Sequence, residues 1–351
     1  MRTIAISLVT ALLAGLVACS ASVASAPGAP DAGGDGDGGG GHDSSPIPPL
    51  IDGGVVPPSD AGGPLAPPDH GFQIVSSAVD IDPHTEISWC FYFKTRNTSE
   101  LAIQKWASHM TAGSHDMIVY LTPTDLQTPG TLSTRDCGFS ADASGQVWTY
   151  SAQSADAQAV LPPDDGAGTP VGQIIKVGQS GFIQMHYLNA SDNVIHAHVE
   201  LNAYAYADTV RVTPAAPFVT YYTAINLAPG SVVAPKPGMV SGSCTVAADA
   251  KFYVMSTHTH KQGVHTFVND GAATVFDSTS WEHPGEQTWN APAFFSFTSG
   301  KLNYQCEYKN PTNRLIQTGD SAATDELCMA IGYFFPAIGG KGHLCIDSYT
   351  P

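Results

Sequence analysis

Two pairs of histidines with His-x-His spacing have the arrangement best suited to chemistry: His196 with His198, and His258 with His260. Residues i and i+2 of a β-strand point to the same face, so both imidazoles of such a pair can bind one metal ion. The second pair follows the apolar run 252–255, which predicts that it ends a strand. It is therefore the stronger candidate for a metal site.

The first pair has a more ordinary interpretation. Residues 194–206 alternate as expected for a half-buried antiparallel strand, and His196, His198, Glu200 and Asn202 share its polar face. We interpret these two histidines as solvent-exposed side chains and not as metal ligands.

Other sources of chemistry are missing from the sequence. It contains no Gly-x-Ser-x-Gly nucleophile elbow, no phosphate-binding loop, no dinucleotide-binding fingerprint and no His-Glu-x-x-His. With 14 Lys and Arg against 31 Asp and Glu the net charge is −17, and such a field repels phosphate backbones. The sequence thus excludes nucleic-acid binding as a function.

The elements that must position the histidines are predicted to be β-strands. Charged residues make up only 13% of the chain, and 35 glycines and 26 prolines disfavour long helices. Only residues 99–109 have a helical pattern. Short apolar, β-branched or aromatic runs bounded by turns predict strands at residues 87–93, 117–121, 181–187, 194–204 and 252–255. We therefore predict an all-β protein.

Composition divides the chain into segments. Residues 19–70 are rich in Gly, Asp and Pro and carry too few large apolar side chains to fold, which predicts a disordered, acidic linker. Folded structure is predicted to begin near Gly71. A Pro-rich join at residues 213–217 then separates two consecutive antiparallel β-sandwich domains, predicted at 71–213 and 214–351.

The N-terminus predicts export. A basic start precedes an apolar run at residues 4–17, which is too short to span a bilayer and is typical of a signal peptide. Its Leu-Val-Ala-Cys ending resembles a bacterial lipobox, so residues 1–18 are predicted to be removed and Cys19 to carry a lipid anchor. In that resemblance Ser20 favours the outer membrane, on its periplasmic or surface face. An ordinary signal peptide with a fortuitous cysteine is the alternative.

Six further cysteines follow Cys19, at positions 90, 137, 244, 306, 328 and 345. An even number in an exported chain predicts three disulfides, among the 15 pairings that six cysteines allow. No two of them are spaced as Cys-x-x-Cys, which argues against a zinc ribbon or a thioredoxin-type redox motif.

Motifs in order along residues 85–350 resemble those of the copper type II, ascorbate-dependent monooxygenases, the family of peptidylglycine and dopamine hydroxylases. The motifs are GSHDMIVY at 113–120, QMHY at 184–187, YVMSTHTHKQG at 253–263, and CEYKN at 306–310 with DELC at 325–328. The resemblance implies two jelly-roll-like domains, a copper site in each and solvent between them. It also implies three disulfides: Cys90 with Cys137, Cys244 with Cys345, and Cys306 with Cys328.

The same resemblance implies which residues hold copper. The N-terminal site would use His115 and His186, with Asp116 where the family has a further histidine. Aspartate can coordinate Cu(II) through a hard oxygen but suits Cu(I) poorly. The C-terminal site would use His258 and His260.

Two positions near the C-terminal site depart from the family. Leu327 stands where the family has a methionine ligand, and Met329 and His265 are the candidates to replace its missing donor atom. Peptide-amidating members carry an Arg and a Tyr that grip a carboxylate, where this chain has Ser256 and Ile331. A peptidylglycine substrate is therefore disfavoured.

The leading hypothesis is a copper-dependent monooxygenase that hydroxylates a C–H bond of a small substrate with O₂ and a reductant such as ascorbate. In it, copper at His258 and His260 activates O₂, and copper at His115 and His186 delivers the second electron. Two alternatives stay open. One is a non-catalytic copper- or ligand-binding surface lipoprotein of the same fold, and the other is a structural or adhesive lipoprotein with incidental histidines.

Overall fold

The computed structural model describes residues 65–111, 113–135, 137–138, 145–319, 321 and 324–348. Within these residues the regular structure is β-strand, apart from one 3-10 turn at Ile338–Gly340, and most strand pairs are antiparallel. The predicted all-β fold is confirmed. None of the described residues forms a helix long and apolar enough to cross a membrane. The predicted signal peptide, Cys19 and residues 19–64 of the predicted linker lie outside the described part.

The strands fall into two sequential groups, and the first strand begins at Gly71. The group before residue 213 comprises β1 (Gly71–Val75), β2 (Val79–Ile81), β3 (Thr85–Lys94), β4 (Leu101–Met110), β5 (Ser114–Thr122), β6 (Leu132–Ser133), β7 (Val147–Ala152), β8 (Asp156–Val160), β9 (Val171–Ile175), β10 (Ser180–Asn189), β11 (Ile195–Ala197) and β12 (Val199–Ala205). The second comprises β13 (Thr213–Tyr221), β14 (Asn226–Leu227), β15 (Lys236–Thr245), β16 (Lys251–His258), β17 (Gly263–Asp270), β18 (Ala273–Ser278), β19 (Gln287–Thr288), β20 (Lys301–Asn310), β21 (Ile316–Gln317), β22 (Met329–Phe335) and β23 (His343–Ile346).

The first half contains the small two-stranded sheet β11-β2 and two larger sheets. One has five strands in the order β6-β3-β10-β5-β7, and the other is the part β1-β12-β4-β9 of a ten-stranded sheet. Large side chains such as Trp106, Tyr150 and Phe182 are fully buried in the core of this half. Strand β10 is buried over nearly its whole length because it lies between β3 and β5. This central strand carries His186.

Strand β13 continues the ten-stranded sheet into the second half. Residues 213–215 run parallel to β9, and from Ala216 onward the strand pairs with β22 and then also with β23. The Pro-rich segment predicted as a join is therefore part of a strand. Its prolines, Pro214 and Pro217, flank the change of partner, and prolines are tolerated where a regular ladder is interrupted. The domain boundary at residue 213 stays a prediction.

Strand β22 lies between two hydrophobic cores. Met329, Ile331 and Tyr333 contribute to the core of the first half, whereas Ala330 and Phe334 contribute to the core of the second. This division follows from the alternation of side chains along a strand. It directs Met329 toward the first half, where His115, Asp116 and His186 lie.

The helix expected at residues 99–109 is wrong, because this segment forms strand β4. It pairs with β12, β8 and β9, so its backbone groups are satisfied by neighbouring strands. Ile103, Trp106 and Met110 are buried at a spacing that imitates one face of a helix. A strand buried on both faces loses strict alternation, and tertiary packing overrides weak local preference.

The strand expected at 194–206 is broken at His198 into β11 and β12. Its polar face is also more buried than predicted, since Glu200 and Asn202 are almost inaccessible. The Glu200 carboxylate accepts a hydrogen bond from the backbone N–H of Leu65 (2.6 Å), and Asn202 donates to the carbonyl of Ala66 (2.7 Å). The segment ahead of β1 thus covers this face.

The three disulfides implied by the resemblance are all present: Cys90 with Cys137, Cys244 with Cys345, and Cys306 with Cys328. The bond between Cys244 and Cys345 closes the longest loop, with a sequence separation of 101 against 22 for Cys306 and Cys328. It joins β15 to β23, which is the last strand of the second half.

Replacing Cys244 and Cys345 with serine is expected to lower the free energy of unfolding by about 4–5 kcal/mol, because the unfolded chain regains the entropy of a long loop. The matched control, Cys306→Ser with Cys328→Ser, should cost about 3 kcal/mol because its loop is shorter. Urea unfolding of the full chain measures both. A smaller loss for the long loop than for the short one would contradict this account.

Candidate metal centre

The first group of candidate ligands lies on the adjacent strands β5 and β10. His186 of β10 pairs with Asp116 of β5, while the next residue, Tyr187, pairs with Ser114. His115 is therefore the extra residue of a β-bulge, and a bulge can re-aim a side chain that alternation would send to the opposite face. The ligand atoms of His115, Asp116 and His186 lie within 4.8 Å of one another, and the two imidazole centroids are 5.2 Å apart.

A shared carboxylate joins this group. Asp116 Oδ2 lies 3.0 Å from His115 Nδ1 and 3.4 Å from His186 Nδ1, and Glu86 Oε1 lies 3.0 Å from His186 Nε2. Burial raises the pKa of Asp116, but the bonds from the two imidazoles outweigh it and hold that pKa well below its ordinary value. Burial lowers the pKa of His186, but Asp116 and Glu86 outweigh it and the net shift is upward. A metal ion at His186 must therefore compete with a proton.

The second group is the His-x-His pair at the end of β16. The ring centroids of His258 and His260 are 5.5 Å apart. Nδ1 of His260 lies 3.0 Å from the carbonyl oxygen of Asp325, so this nitrogen is the donor and Nε2 keeps its lone pair. Burial lowers the pKa of both imidazoles. The pKa of His260 falls to about 3, because repulsion from a positive charge on His258 adds to the effect of burial. Both are therefore neutral near physiological pH, the state in which histidine binds metals.

A buried carboxylate that sequence reasoning missed holds the turn carrying His260. Glu326 is 0% exposed and accepts hydrogen bonds from the backbone N–H groups of His260 (3.0 Å), Gln262 (2.7 Å) and Leu327 (3.3 Å). Burial raises its pKa to about 7, although those donors act in the opposite direction. The available signal was its position in Asp-Glu-Leu-Cys, directly before an apolar strand.

A Glu326→Gln variant is expected to lose a pH dependence of stability that the wild type has. The pKa of Glu326 is about 7 in the folded protein against an ordinary value of 4.5, so between these values the folded protein keeps a proton that the unfolded chain has released. The free energy of unfolding should therefore fall as the pH rises through this window, by about 3 kcal/mol in total.

Urea unfolding of the copper-free full chain at several pH values measures this slope. The exposed Glu282 provides the matched control, because Glu282→Gln removes the same charge and should keep the wild-type slope. If Glu326→Gln follows the wild-type pH profile, then Glu326 does not titrate in this window.

Both groups of ligands meet at one small cavity of about 30 Å³. Its lining includes Asp116 and His186 from the first group and His258 and His260 from the second. A space of this size holds only one or two water molecules. The expectation drawn from the resemblance was solvent between two separate sites, whereas here the two groups share a confined space.

The structure also places the candidate replacements for the family's methionine. Met329 pairs with His258 across β22 and β16 and lines the shared cavity, as Leu327 does. His265 lies on β17, where its Nε2 is 3.0 Å from Asp277 Oδ2, and it does not line the cavity. The thioether of Met329 is therefore the soft donor available to the second group.

The first His-x-His pair lies elsewhere, and of its two histidines His196 is exposed whereas His198 is partly buried. Nδ1 of His196 is 2.6 Å from Asp80 Oδ1 at an exposed position. The His198 ring lies 3.2 Å from Thr111 Oγ1 and 3.4 Å from Glu200 Oε1. Neither histidine lines the shared cavity.

Two tryptophans contact the candidate ligands. Trp281, in the loop after β18, stacks on His115 with ring centroids 5.8 Å apart and an interplanar angle of 11°. Trp148 of β7 is buried and approaches His258 edge-on, with centroids 6.5 Å apart. Each ring restricts the orientation of a candidate ligand. A loop of the second half thus covers a histidine of the first.

The positions where the family grips a carboxylate lie beside the histidines. Ser256 and Ile331 line a second cavity, of about 20 Å³, together with Asp116 and His258. The Ser256 hydroxyl donates to the carbonyl of Gly285 (2.8 Å), and among the described residues no Lys or Arg lines this cavity. The site therefore offers no guanidinium for a substrate carboxylate.

The shared cavity is lined by three imidazoles, one carboxylate and one thioether, and His115 lies next to Asp116 and His186 as a fourth imidazole. Imidazole suits copper in both oxidation states, the carboxylate favours Cu(II) and the thioether favours Cu(I). Of these residues, His115, Asp116 and His186 lie close enough together to hold one metal ion. A comparison of the chain with protein-family models and with curated proteins finds no significant match.

Proposed function

We propose that this chain is a copper-dependent, ascorbate-type monooxygenase that hydroxylates a C–H bond of a small substrate. The supporting observation is that Asp116, His186, His258, His260 and Met329 line one buried cavity. The reaction would consume one O₂ and two electrons from a reductant such as ascorbate, with two protons, and yield the alcohol and water. The proposal includes export as a lipoprotein anchored through Cys19, with the outer membrane as the site.

Copper would supply one-electron redox chemistry and a site for reaction with O₂. The two groups of ligands would favour different oxidation states of copper. His115, His186 and the anionic Asp116 suit the oxidised ion, whereas the neutral His258 and His260 with Met329 suit the reduced ion. The hydrogen bond from His260 Nδ1 to the Asp325 carbonyl keeps Nε2 directed for binding.

The surroundings of the cavity would protect this chemistry from water. Trp148 and Tyr120 are buried residues of its wall, so few water molecules can enter. In a space of low polarity the charge of Asp116 acts strongly on an adjacent cation. In the part of the chain that the structure describes, no Lys or Arg lines either cavity, which agrees with a substrate that is neutral or cationic there.

One observation favours a second candidate function, copper binding without turnover. Both ring nitrogens of His186 already have carboxylate partners, Asp116 at 3.4 Å and Glu86 at 3.0 Å. A metal ion at this histidine must displace one of them, which would weaken the first group. In that case the chain would store or carry copper.

Oxygen uptake by the copper-loaded full chain tests the proposal. After unbound copper is removed, ascorbate should drive oxygen consumption that depends on bound copper and is absent from the copper-free protein. Bound copper that supports no ascorbate-dependent uptake would reject the monooxygenase and leave copper binding without turnover. Binding of no copper would reject both.

A further inference from the structure

A larger cavity, of about 250 Å³, lies further along β16 and β22 from the histidines. Two pairs of aromatic rings line it, one from each half of the chain. Trp106 and Tyr150 stack with centroids 6.0 Å apart, and Tyr253 and Tyr333 have centroids 6.1 Å apart. An apolar cavity of about 150 Å³ already accommodates benzene, so this one has room for a small organic molecule.

One lining residue carries a charged side chain. Glu286 is 8% exposed, and no Lys, Arg or His is among the residues that line the cavity, all of which belong to the described part of the chain. Glu286 is held in place on both sides, since the carbonyl of Gly285 accepts a hydrogen bond from Ser256 and the following strand β19 pairs with β16. The backbone on both sides of Glu286 is therefore held against β16, and Glu286 lines the cavity together with the four aromatic residues.

Tyr333 adds an independent sign of a polar ligand. It is 7% exposed, and its hydroxyl oxygen is buried without a hydrogen-bond partner in the described part of the chain. Trp148 lies next to it, but its indole N–H donates to Ser151 Oγ (3.2 Å). A buried polar atom left unpaired is costly, so a ligand that supplies a partner gains affinity.

The cavity is reachable from solvent. Val160, Thr288 and Asn290 line it and are exposed, so they form its mouth, while Trp106 and Tyr150 are buried at its inner end. A small solute can enter without separating the two halves. The net charge of −17 also favours the approach of a cation over that of an anion.

We propose that this cavity binds a small organic ammonium ion, with its cationic centre against the aromatic rings and near the Glu286 carboxylate. Aromatic faces attract cations through the ring quadrupole, most strongly where water is excluded. The carboxylate adds a Coulomb attraction that a neutral molecule of the same shape does not feel. A hydroxyl on the ligand can pair with the Tyr333 hydroxyl. The inference does not depend on copper.

Calorimetric titration of the copper-free full chain with choline tests this inference. The matched probe is 3,3-dimethylbutan-1-ol, in which carbon replaces the cationic nitrogen of choline. Choline should bind about tenfold more tightly than the alcohol, because only choline gains the cation–aromatic and Coulomb attractions. This comparison needs no variant, so it holds whether or not a substituted chain folds.

Two variants then locate the site. Glu286→Gln should weaken choline binding about tenfold and leave the alcohol unchanged, whereas the exposed Glu282→Gln should leave both unchanged. Tyr253→Leu should weaken choline by removing one aromatic face. Equal affinity for choline and the alcohol, equal effects of the two glutamate variants, or no saturable choline binding at millimolar concentrations would each overturn the inference. Each result is obtained without copper, so it leaves the proposed oxygen chemistry to its own test.

Discussion

Replacing both His258 and His260 with alanine is expected to lower the copper content of the chain from two ions to one. The change removes both imidazoles of the second group and leaves Met329 as its remaining donor. The first group should keep its ion, because His115 and His186 lie on the separate strands β5 and β10. Metal analysis of the full chain after removal of unbound copper measures the loss.

The chain provides its own control for this variant. His196 and His198 have the same spacing but lie outside the shared cavity, so His196→Ala with His198→Ala should leave the copper content unchanged. Equal copper in the wild type and in the His258 and His260 variant would refute the assignment of these two ligands. Equal losses in both variants would show that copper binds His-x-His pairs without selection.

A Met329→Leu variant is expected to bind Cu(I) about tenfold more weakly than the wild type and Cu(II) almost equally. The thioether is a soft donor that favours the reduced ion, and Met329 is adjacent to His258 across β16 and β22. Leucine is close in volume to methionine, so the cost to stability should stay below about 1.5 kcal/mol. Competition with a Cu(I) chelator of known affinity measures the change.

Leu327 allows a restoration experiment at the same cavity. Adding Leu327→Met to the Met329→Leu chain returns one thioether to the lining, so Cu(I) affinity should recover. In the wild type, Leu327→Met alone should raise Cu(I) affinity only slightly, because Met329 already supplies sulfur. If Met329→Leu keeps wild-type Cu(I) affinity, Met329 is not a ligand.

The sequence was sufficient to predict the all-β fold because short runs bounded by Gly and Pro have few alternatives. It was not sufficient for β4, where Ile103 and Trp106 are spaced like one face of a helix although both are buried in a strand. It also treated the prolines of β13 as a join, since a change of strand partner at Ala216 leaves no local signal. Long-range pairing decided both cases.

The candidate ligands were recognisable from motifs, but their geometry was not. The bulge that places His115 beside His186 depends on the register of β5 against β10, which the sequence does not encode locally. The sequence does not reveal the role of Glu326. The three groups that donate hydrogen bonds to its carboxylate are backbone N–H groups, which leave no side-chain pattern in the sequence. The contact of Trp281 with His115 joins residues far apart in sequence.

We propose, above all, that the two groups of histidines hold two copper ions at one cavity. Electron paramagnetic resonance of the full chain during titration with Cu(II) tests it most directly. The first equivalent should give a copper signal split by histidine nitrogens. The second should broaden that signal, because the magnetic coupling of two Cu(II) ions grows steeply as they approach each other. Two additive and unperturbed signals, or copper without nitrogen splitting, would contradict the claim.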